Sequence, residues 1–190
     1  MKILFSPSET KNSGGTTQAF CKNSFIFPEL FEKRMQIVNQ YNNYILNGSK
    51  EQLIKLFGTK KDDVINQYKK DILQSSTMKV IERYEGVAFD YLEYTKLKEN
   101  EKNYIDENVI IFSNLFGPLQ AGNYGLPDYK LKQGETFDNL KIEKFYNDNF
   151  TEALDEYFLN EDIIDLRAGF YEKFYKINKP YTTMKFIKDG

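Results

Sequence analysis

The 190-residue chain contains no histidine, and this limits the chemistry that its side chains can perform. Serine–histidine and cysteine–histidine catalysis are excluded, as are metal sites with histidine ligands. Lysine, tyrosine, serine, arginine and carboxylate chemistry remains, together with a hard metal ion bound by oxygen ligands. Glu82, Glu85 and Asp90 lie close enough in sequence to hold such an ion. A solvated acidic face explains them more simply, so we expect neither a metal nor a cofactor.

A polar loop after the first apolar segment provides candidate ligand-binding residues. Its Gly14-Gly15 pair allows a close approach of the backbone to a ligand, although the spacing is not that of a P-loop. Six residues from this loop and two later segments could line one crevice: Ser6, Glu9, Lys11, Arg83, Tyr84 and Lys130. Such a crevice predicts binding of a small phosphate-bearing ligand, or acid–base catalysis. The alternative is a structural loop whose ion pairs fix the strand ends.

A lysine-rich segment at about 49–73 predicts two short helices joined by a hairpin at Phe57-Gly58-Thr59-Lys60. Residues 50–70 contain six lysines and three acidic residues. Backbone amides and lysines at such a hairpin suit phosphates and carry no base information. The residues that we expect to contact DNA are Lys55, Gly58, Thr59, Lys60 and Lys61. The alternative is a pair of packed helices with a solvated charged face.

Periodicity predicts a mixed α/β fold with a mainly parallel central sheet flanked by helices. Apolar runs predict strands at 2–5, 109–113, 163–166 and 181–187. Helices are predicted at 28–47, 49–56, 62–73, 75–81, 87–92, 142–146, 150–158 and 170–174. The Gly- and Pro-rich segment 117–127 is predicted to be a loop. Ligands of parallel sheets bind outside the carboxyl ends of the strands, where the polar loop begins.

Several motifs, in order, resemble the YaaA family of bacterial peroxide-stress proteins. They are Ser6-Pro7-Ser8-Glu9-Thr10-Lys11 with Gly14-Gly15, Arg83-Tyr84-Glu85-Gly86-Val87, the stretch 112–119, Pro127-Asp128-Tyr129-Lys130-Leu131, and the stretch 165–171. The sequence departs from the family pattern in two places. Lys130 stands where the family usually has arginine, and Gln120-Ala121-Gly122-Asn123 replaces an Arg-Pro-x-Asp stretch. The family also continues past Gly190, so we expect one YaaA-like domain over 1–190 that is shortened at its C-terminus.

The resemblance implies a cytoplasmic protein that limits oxidative damage and binds DNA through a helix-hairpin-helix element. The single cysteine, Cys21, agrees with a reducing compartment, and no apolar run is long enough for a membrane span. The leading hypothesis is binding of duplex or distorted DNA without strong sequence specificity. The alternatives are an enzyme or small-ligand binder that uses the crevice, and an interaction protein with neither activity. Catalysis is the less expected of these.

Overall fold

The computed structural model describes residues 1–15 and 19–184, which form a five-stranded sheet, a two-stranded sheet and their connecting helices. The strands in these residues are β1 (Lys2–Phe5), β2 (Thr77–Lys79), β3 (Val109–Ser113), β4 (Gly117–Gln120), β5 (Tyr124–Pro127), β6 (Ile163–Leu166) and β7 (Thr182–Thr183). The α-helices are α1 (Phe31–Asn47), α2 (Lys50–Phe57), α3 (Asp62–Tyr68), α4 (Val80–Arg83), α5 (Val87–Leu92), α6 (Glu99–Asn108) and α7 (Ile142–Tyr157).

The larger sheet has the strand order β4-β3-β1-β6-β7 and is mainly parallel. β1 pairs in parallel with β3 and β6, so Leu4 lies opposite Ile110 on one side and Asp165 on the other. β6 pairs in parallel with β7, whereas β4 turns back and pairs antiparallel with β3. Every residue of β3 is buried, as expected for an inner strand. The predicted fold class and the strands at 2–5, 109–113 and 163–166 are therefore confirmed.

The helix predicted at 75–81 is partly wrong, because Thr77–Lys79 is β2 and α4 begins only at Val80. β2 pairs antiparallel with β5, and this backbone pairing outweighs a weak local preference for helix. The loop predicted at 117–127 is also wrong in part, since it contains β4 and β5. Pro118 is compatible with β4 because that strand lies at the edge of its sheet.

The two helices predicted near 142–146 and 150–158 form one continuous helix, α7. The side chains of Asn149 and Thr151 donate to the carbonyl oxygens of Phe145 and Asn147, one turn back, at 2.8 and 2.6 Å. α6 was not predicted, because most of its residues are polar and none is fully buried. No helix within 1–15 and 19–184 is long and apolar enough to cross a bilayer.

Three further boundaries differ from prediction. α3 ends at Tyr68, and the rest of its predicted span contains a separate 3-10 turn (Ile72–Gln74), capped by the Asp71 side chain. The helix predicted at 170–174 is a 3-10 helix, Tyr171–Phe174. Within the strand predicted at 181–187, the described residues contain only β7, Thr182–Thr183. Residues 185–187 lie outside the described residues.

Arg34 of α1 is fully buried and ties the helices to the turn between β3 and β4. Its guanidinium donates to the carbonyl oxygens of Phe116 and, at 3.3 Å, Pro118. It also lies 5.0 and 5.1 Å from the ring centroids of Phe25 and Phe150. Burial lowers the pKa of Arg34 to about 10, so the group stays protonated at neutral pH. These contacts fix α1 and α7 beside the carboxyl end of β3.

Candidate functional site

The carboxyl ends of the inner strands β1 and β6 border a cavity of about 610 Å³. Ser6 lines it, and its Oγ accepts a hydrogen bond from the backbone amide of Ala168 at 2.8 Å. Ser6 therefore joins the loops that follow two neighbouring strands. The walls include Phe5, Phe89 and Leu166, so this cavity is largely apolar.

Arg167, at the end of β6, also lines the cavity but is held by protein groups. It forms a two-point ion pair with Asp165, with Nε and Nη2 each 2.8 Å from a carboxylate oxygen. Nη1 donates to the carbonyl oxygens of Tyr171 and Tyr175, and the guanidinium lies 4.6 Å from the Phe112 ring centroid. Arg167 is thus a structural cation that fixes the chain after β6.

Lys11 lies in the interior, where only 9 % of its surface is exposed. Its Nζ is 4.1 Å from the ring centroid of Tyr129 and 5.5 Å from that of Tyr84. The amine also donates to the carbonyl oxygens of Ser8 and Glu9, at 3.5 and 3.3 Å. Burial lowers the pKa of Lys11 to about 7, although the nearby Asp128 carboxylate opposes this shift. An amine in this position changes its charge near neutral pH.

A network of buried hydroxyl groups lies beside Lys11. The Ser113 Oγ and the Tyr129 hydroxyl are 2.7 Å apart, and Tyr129 donates to Oδ1 of Asn114 at 2.8 Å. The Tyr84 hydroxyl is buried without a hydrogen-bond partner among the described residues. Burial raises the pKa of Tyr84 to about 12. Tyr84 therefore adds a protonated hydroxyl to this network, near enough to Ser113 and Tyr129 for both to act on its pKa.

Among the described residues, Asp128 is the one buried acidic side chain near Lys11. It was not predicted from the sequence to be a site residue. Its Oδ1 has no hydrogen-bond partner within 1–15 and 19–184. Burial raises the pKa of Asp128, whereas Arg83 and Lys11 oppose the rise. Tyr68, the last residue of α3, faces this carboxylate, so the hairpin helices border the site. The signal in the sequence for Asp128 is its place in the motif Pro127-Asp128-Tyr129-Lys130-Leu131, which gives no sign that it is buried.

Arg83 belongs to the same region but is engaged by backbone groups. Its guanidinium donates to the carbonyl oxygens of Leu126 at 3.1 Å, Gly14 at 2.9 Å and Asn12. Burial lowers its pKa, and Asp128 is the main opposing influence. Arg83 therefore holds the polar loop against β5 and contributes charge to the site from a fixed position.

The remaining predicted crevice residues lie at different distances from Lys11. Lys130 is half-buried, with its Nζ 5.9 Å from the Tyr68 ring centroid, and its charge acts on Lys11. Glu9 is exposed, and its Oε1 accepts a hydrogen bond from the amide of Gln133 at 3.1 Å. The structure thus brings Tyr84, Arg83, Lys130 and Asp128 together around Lys11, with Glu9 nearby. Ser6 lines the apolar cavity instead.

A short turn joins α2 and α3 at the position of the predicted hairpin. Gly58 ends α2 in the left-handed conformation, with φ of 66°, and its amide donates to carbonyl oxygens of the last turn. A β-carbon on Gly58 would lie 2.8 Å from the Lys132 side chain, so this lysine packs across the turn. Lys55, Lys60 and Lys61 are exposed, and Thr59 is half-buried.

Acidic residues modify the charge of the hairpin. Asp62 and Asp63 occupy the first turn of α3, where they already interact favourably with the helix amides. Asp62 also pairs with Lys50 at 2.7 Å, and Lys55 lies 3.9 Å from Glu135. The start of α3 is therefore a poor place for an anion, and the positive charge of this turn comes from its lysine side chains.

The other candidate groups are surface features. Glu85 and Asp90 are exposed, Glu82 is half-buried, and all three border a second cavity of about 380 Å³. Within 1–15 and 19–184, no three carboxylate or thiol groups lie close enough to hold a metal ion. Cys21 is exposed as a free thiol, and hydrogen bonds from Ser24 and the backbone lower its pKa.

Known proteins resemble the chain over its whole length. A family model described as "Peroxide stress protein YaaA" matches residues 1–190. An uncharacterized protein of Campylobacter jejuni is 49 % identical over 190 residues, which are 100 % of this chain and 77 % of that protein. A UPF0246 protein of Corynebacterium efficiens is 30 % identical over 183 residues, covering 93 % of this chain and 70 % of the relative. The chain therefore belongs to the peroxide stress protein YaaA family.

Proposed function

We propose that this protein acts in the cytoplasmic response to peroxide stress by binding DNA through lysine–phosphate contacts around the hairpin. The family supports the stress role. The observation that carries DNA binding is the pair Lys60 and Lys61, which are exposed at the turn and form no salt bridge with any described residue. Unpaired, exposed lysines are free to replace the counterions of a phosphate backbone.

Further lysines extend this basic surface on both sides of the turn. Lys69 and Lys70 follow α3 and are exposed, and Lys132 crosses the turn at Gly58. None of these groups is placed to read base edges in a defined pattern, because flexible lysines act as point charges. We therefore expect affinity that depends on salt and tolerates differences in sequence, for duplex or distorted DNA.

The test is fluorescence anisotropy of labelled duplex DNA with the wild type and the double variant Lys60→Glu/Lys61→Glu. We expect weaker binding, with a plot of log affinity against log salt whose slope is smaller by about 2, since two phosphate contacts are lost. The matched control is Lys22→Glu/Lys176→Glu, which makes the same change of net charge at exposed lysines outside the hairpin. Equal affinity loss in both variants would show a general charge effect and reject the hairpin.

The crevice around Lys11 supports a second candidate function, the binding of a small phosphate-bearing ligand. The specific observation is that Asp128 Oδ1 is buried without a hydrogen-bond partner among the described residues, near the cations Lys11 and Arg83. Buried polar atoms of this kind are rare in folded proteins and are satisfied by a ligand or by water. Glycerol 3-phosphate is expected to raise the melting temperature of the wild type and not of Lys11→Met. No rise in the wild type would reject this second function.

A further inference from the structure

We propose that the cavity at the carboxyl ends of β1 and β6 binds a nucleobase, a neutral flat ring with hydrogen-bond acceptors on its edge. Neither Lys11 nor any hairpin lysine lines this cavity, so the site is distinct from both sites proposed above. Four features of the cavity support a nucleobase: its place in the sheet, its apolar floor, its lack of net charge and its free hydroxyl groups.

The cavity lies where the chain connections of the sheet diverge. After β1 the chain returns to this sheet at β3, on one side of β1, whereas after β6 it returns at β7, on the other side of β6. The loops that follow these two neighbouring strands therefore leave in opposite directions and open a crevice between the strand ends. Ligands of open parallel sheets bind in this kind of crevice.

The floor of the cavity is an apolar part of the sheet that the described residues leave partly uncovered. Phe5 and Leu166 are register partners on one face of β1 and β6, and both are half-buried. Leu4, on the opposite face, is fully buried. Because inner parallel strands are normally covered on both faces, the half-buried pair marks a place that a ligand can fill. The volume of about 610 Å³ is that of an ordinary ligand pocket.

Phenylalanine rings give the cavity a surface for stacking. Phe89 lines the cavity, is half-buried and meets the Phe5 ring edge to face, at a centroid distance of 5.6 Å. Every base has a π-face that can stack on an aromatic side chain. Among the described residues that line the cavity, the only charged side chains are Asp165 and Arg167, which pair with each other. The walls therefore favour a neutral ring over an anion or a cation.

Two serine hydroxyls supply hydrogen-bond donors. Ser6 and Ser8 both line the cavity. Their Oγ atoms accept hydrogen bonds from the backbone amides of Ala168, at 2.8 Å, and Thr10, at 3.2 Å. Neither hydroxyl donates to an acceptor among the described residues, so each can donate to the edge of a base. A stacking surface with a few polar groups is the usual composition of a ligand site.

The base can belong to a free nucleoside or to DNA from which it has been turned out of the helix. Turning out costs unstacking energy, which is least for an unpaired base. One segment connects the cavity loop with the hairpin, because the Lys132 amide donates to the Leu56 carbonyl at 2.9 Å. The next amide, of Gln133, donates to Glu9, the neighbour of Ser8. The ring that is recognised is the same for both sources, and the experiment separates them.

The test is NMR of the full chain with isotope-labelled methionine methyl groups, because Met184 lines the cavity and is 60 % exposed. A bound aromatic ring shifts the resonance of a methyl group near its face through its ring current. Thymidine is the free ligand, and 2-deoxyribose, which lacks the base, is the control. We expect thymidine to shift the Met184 methyl more than those of Met1, Met35 and Met78, and 2-deoxyribose to shift none of them.

The second arm uses duplex DNA with one extra, unpaired thymine and the same duplex without it. A shift of Met184 with the bulged duplex alone identifies DNA as the source of the base, and a shift with thymidine alone identifies the free nucleoside. A bulged duplex that binds by anisotropy while neither it nor thymidine shifts Met184 would overturn the base site. That result would leave DNA binding by the hairpin lysines standing.

Two variants test the walls of the cavity. Ala88→Phe, at an exposed position that lines the cavity, should fill it and abolish the thymidine shift. The control Ala19→Phe, at an exposed alanine outside the cavity, should keep the shift. Ser8→Ala should weaken thymidine binding about fivefold, since one hydrogen bond is lost.

The Met184 shift is measured on the wild type, so the main result does not depend on how the variants fold. Three results would overturn the proposal: no Met184 shift in either arm, equal shifts of all four methionines, or an equal shift with 2-deoxyribose. Unchanged thymidine binding by folded Ala88→Phe would also overturn it.

Discussion

Burial of Lys11 makes the stability of the fold depend on pH in a way that a single substitution should remove. The pKa of Lys11 is about 7 in the folded protein and 10.5 for an ordinary lysine. Between these values the unfolded chain binds more protons than the folded one, so the free energy of unfolding rises with pH. Integrated from pH 7 to pH 9, this single group contributes a rise of about 2 kcal/mol.

Urea unfolding of the wild type and of Lys11→Met at these pH values measures this contribution as a difference between the two proteins. We expect the wild type to gain about 2 kcal/mol more than Lys11→Met over this interval, because methionine does not titrate. Lys144→Met, in which an exposed lysine is replaced, is the control and should follow the wild type. If Lys11→Met shows the same pH dependence as the wild type, Lys11 is not desolvated and the account of the crevice fails.

Two other predictions concern the region where α1 and α7 meet the sheet. Arg34→Met should lower the free energy of unfolding by about 3 kcal/mol, because buried carbonyl oxygens lose their donors. Lys33→Met, at the exposed neighbouring position, should change it by less than about 0.5 kcal/mol in the same urea titrations. Gly117→Ala should cost more than about 2 kcal/mol, since φ is +68° and the new carbon would lie 2.3 Å from the Tyr146 ring. A change below about 1 kcal/mol in Gly117→Ala would contradict the packing at this turn.

The parallel sheet could be predicted because its inner strands are short, continuous apolar runs. Val109–Ser113 is buried at every position, and nothing in its sequence resembles a helix. α6 and β2 could not be predicted in this way. α6 buries none of its residues, and β2 has only three residues, whose pairing depends on a strand far along the chain.

The candidate site was predicted in outline, but the roles of its residues were not. Lys11 was selected in the polar loop after the first strand and Tyr84 in a later segment, and only the fold shows that both are buried. Arg83 looked like a free cation in the sequence, yet backbone carbonyl oxygens occupy its donors. Asp128 was not selected, because an acid after a proline carries no local sign of burial. Its environment is created by segments distant in sequence.

The hairpin shows a second limit of prediction from the sequence. Its turn and the capping of α2 were predictable, since the Ser49 Oγ accepts a hydrogen bond from the amide of Gln52 and Gly58 ends the helix. The number of lysines could be counted, but the structure determines which of them are paired. Lys50 and Lys55 have acidic partners, whereas Lys60 and Lys61 have none among the described residues. Substitution of the unpaired Lys60 and Lys61 is therefore the most direct way to test this surface.

We propose that Lys60 and Lys61 bind DNA phosphates. The most direct measurement is the salt dependence of duplex DNA binding by fluorescence anisotropy, for the wild type, Lys60→Glu/Lys61→Glu and the control Lys22→Glu/Lys176→Glu. We expect steep salt dependence in the wild type and in the control, and a slope smaller by about 2 in the hairpin variant. Binding by the hairpin variant with the affinity and slope of the wild type would contradict it.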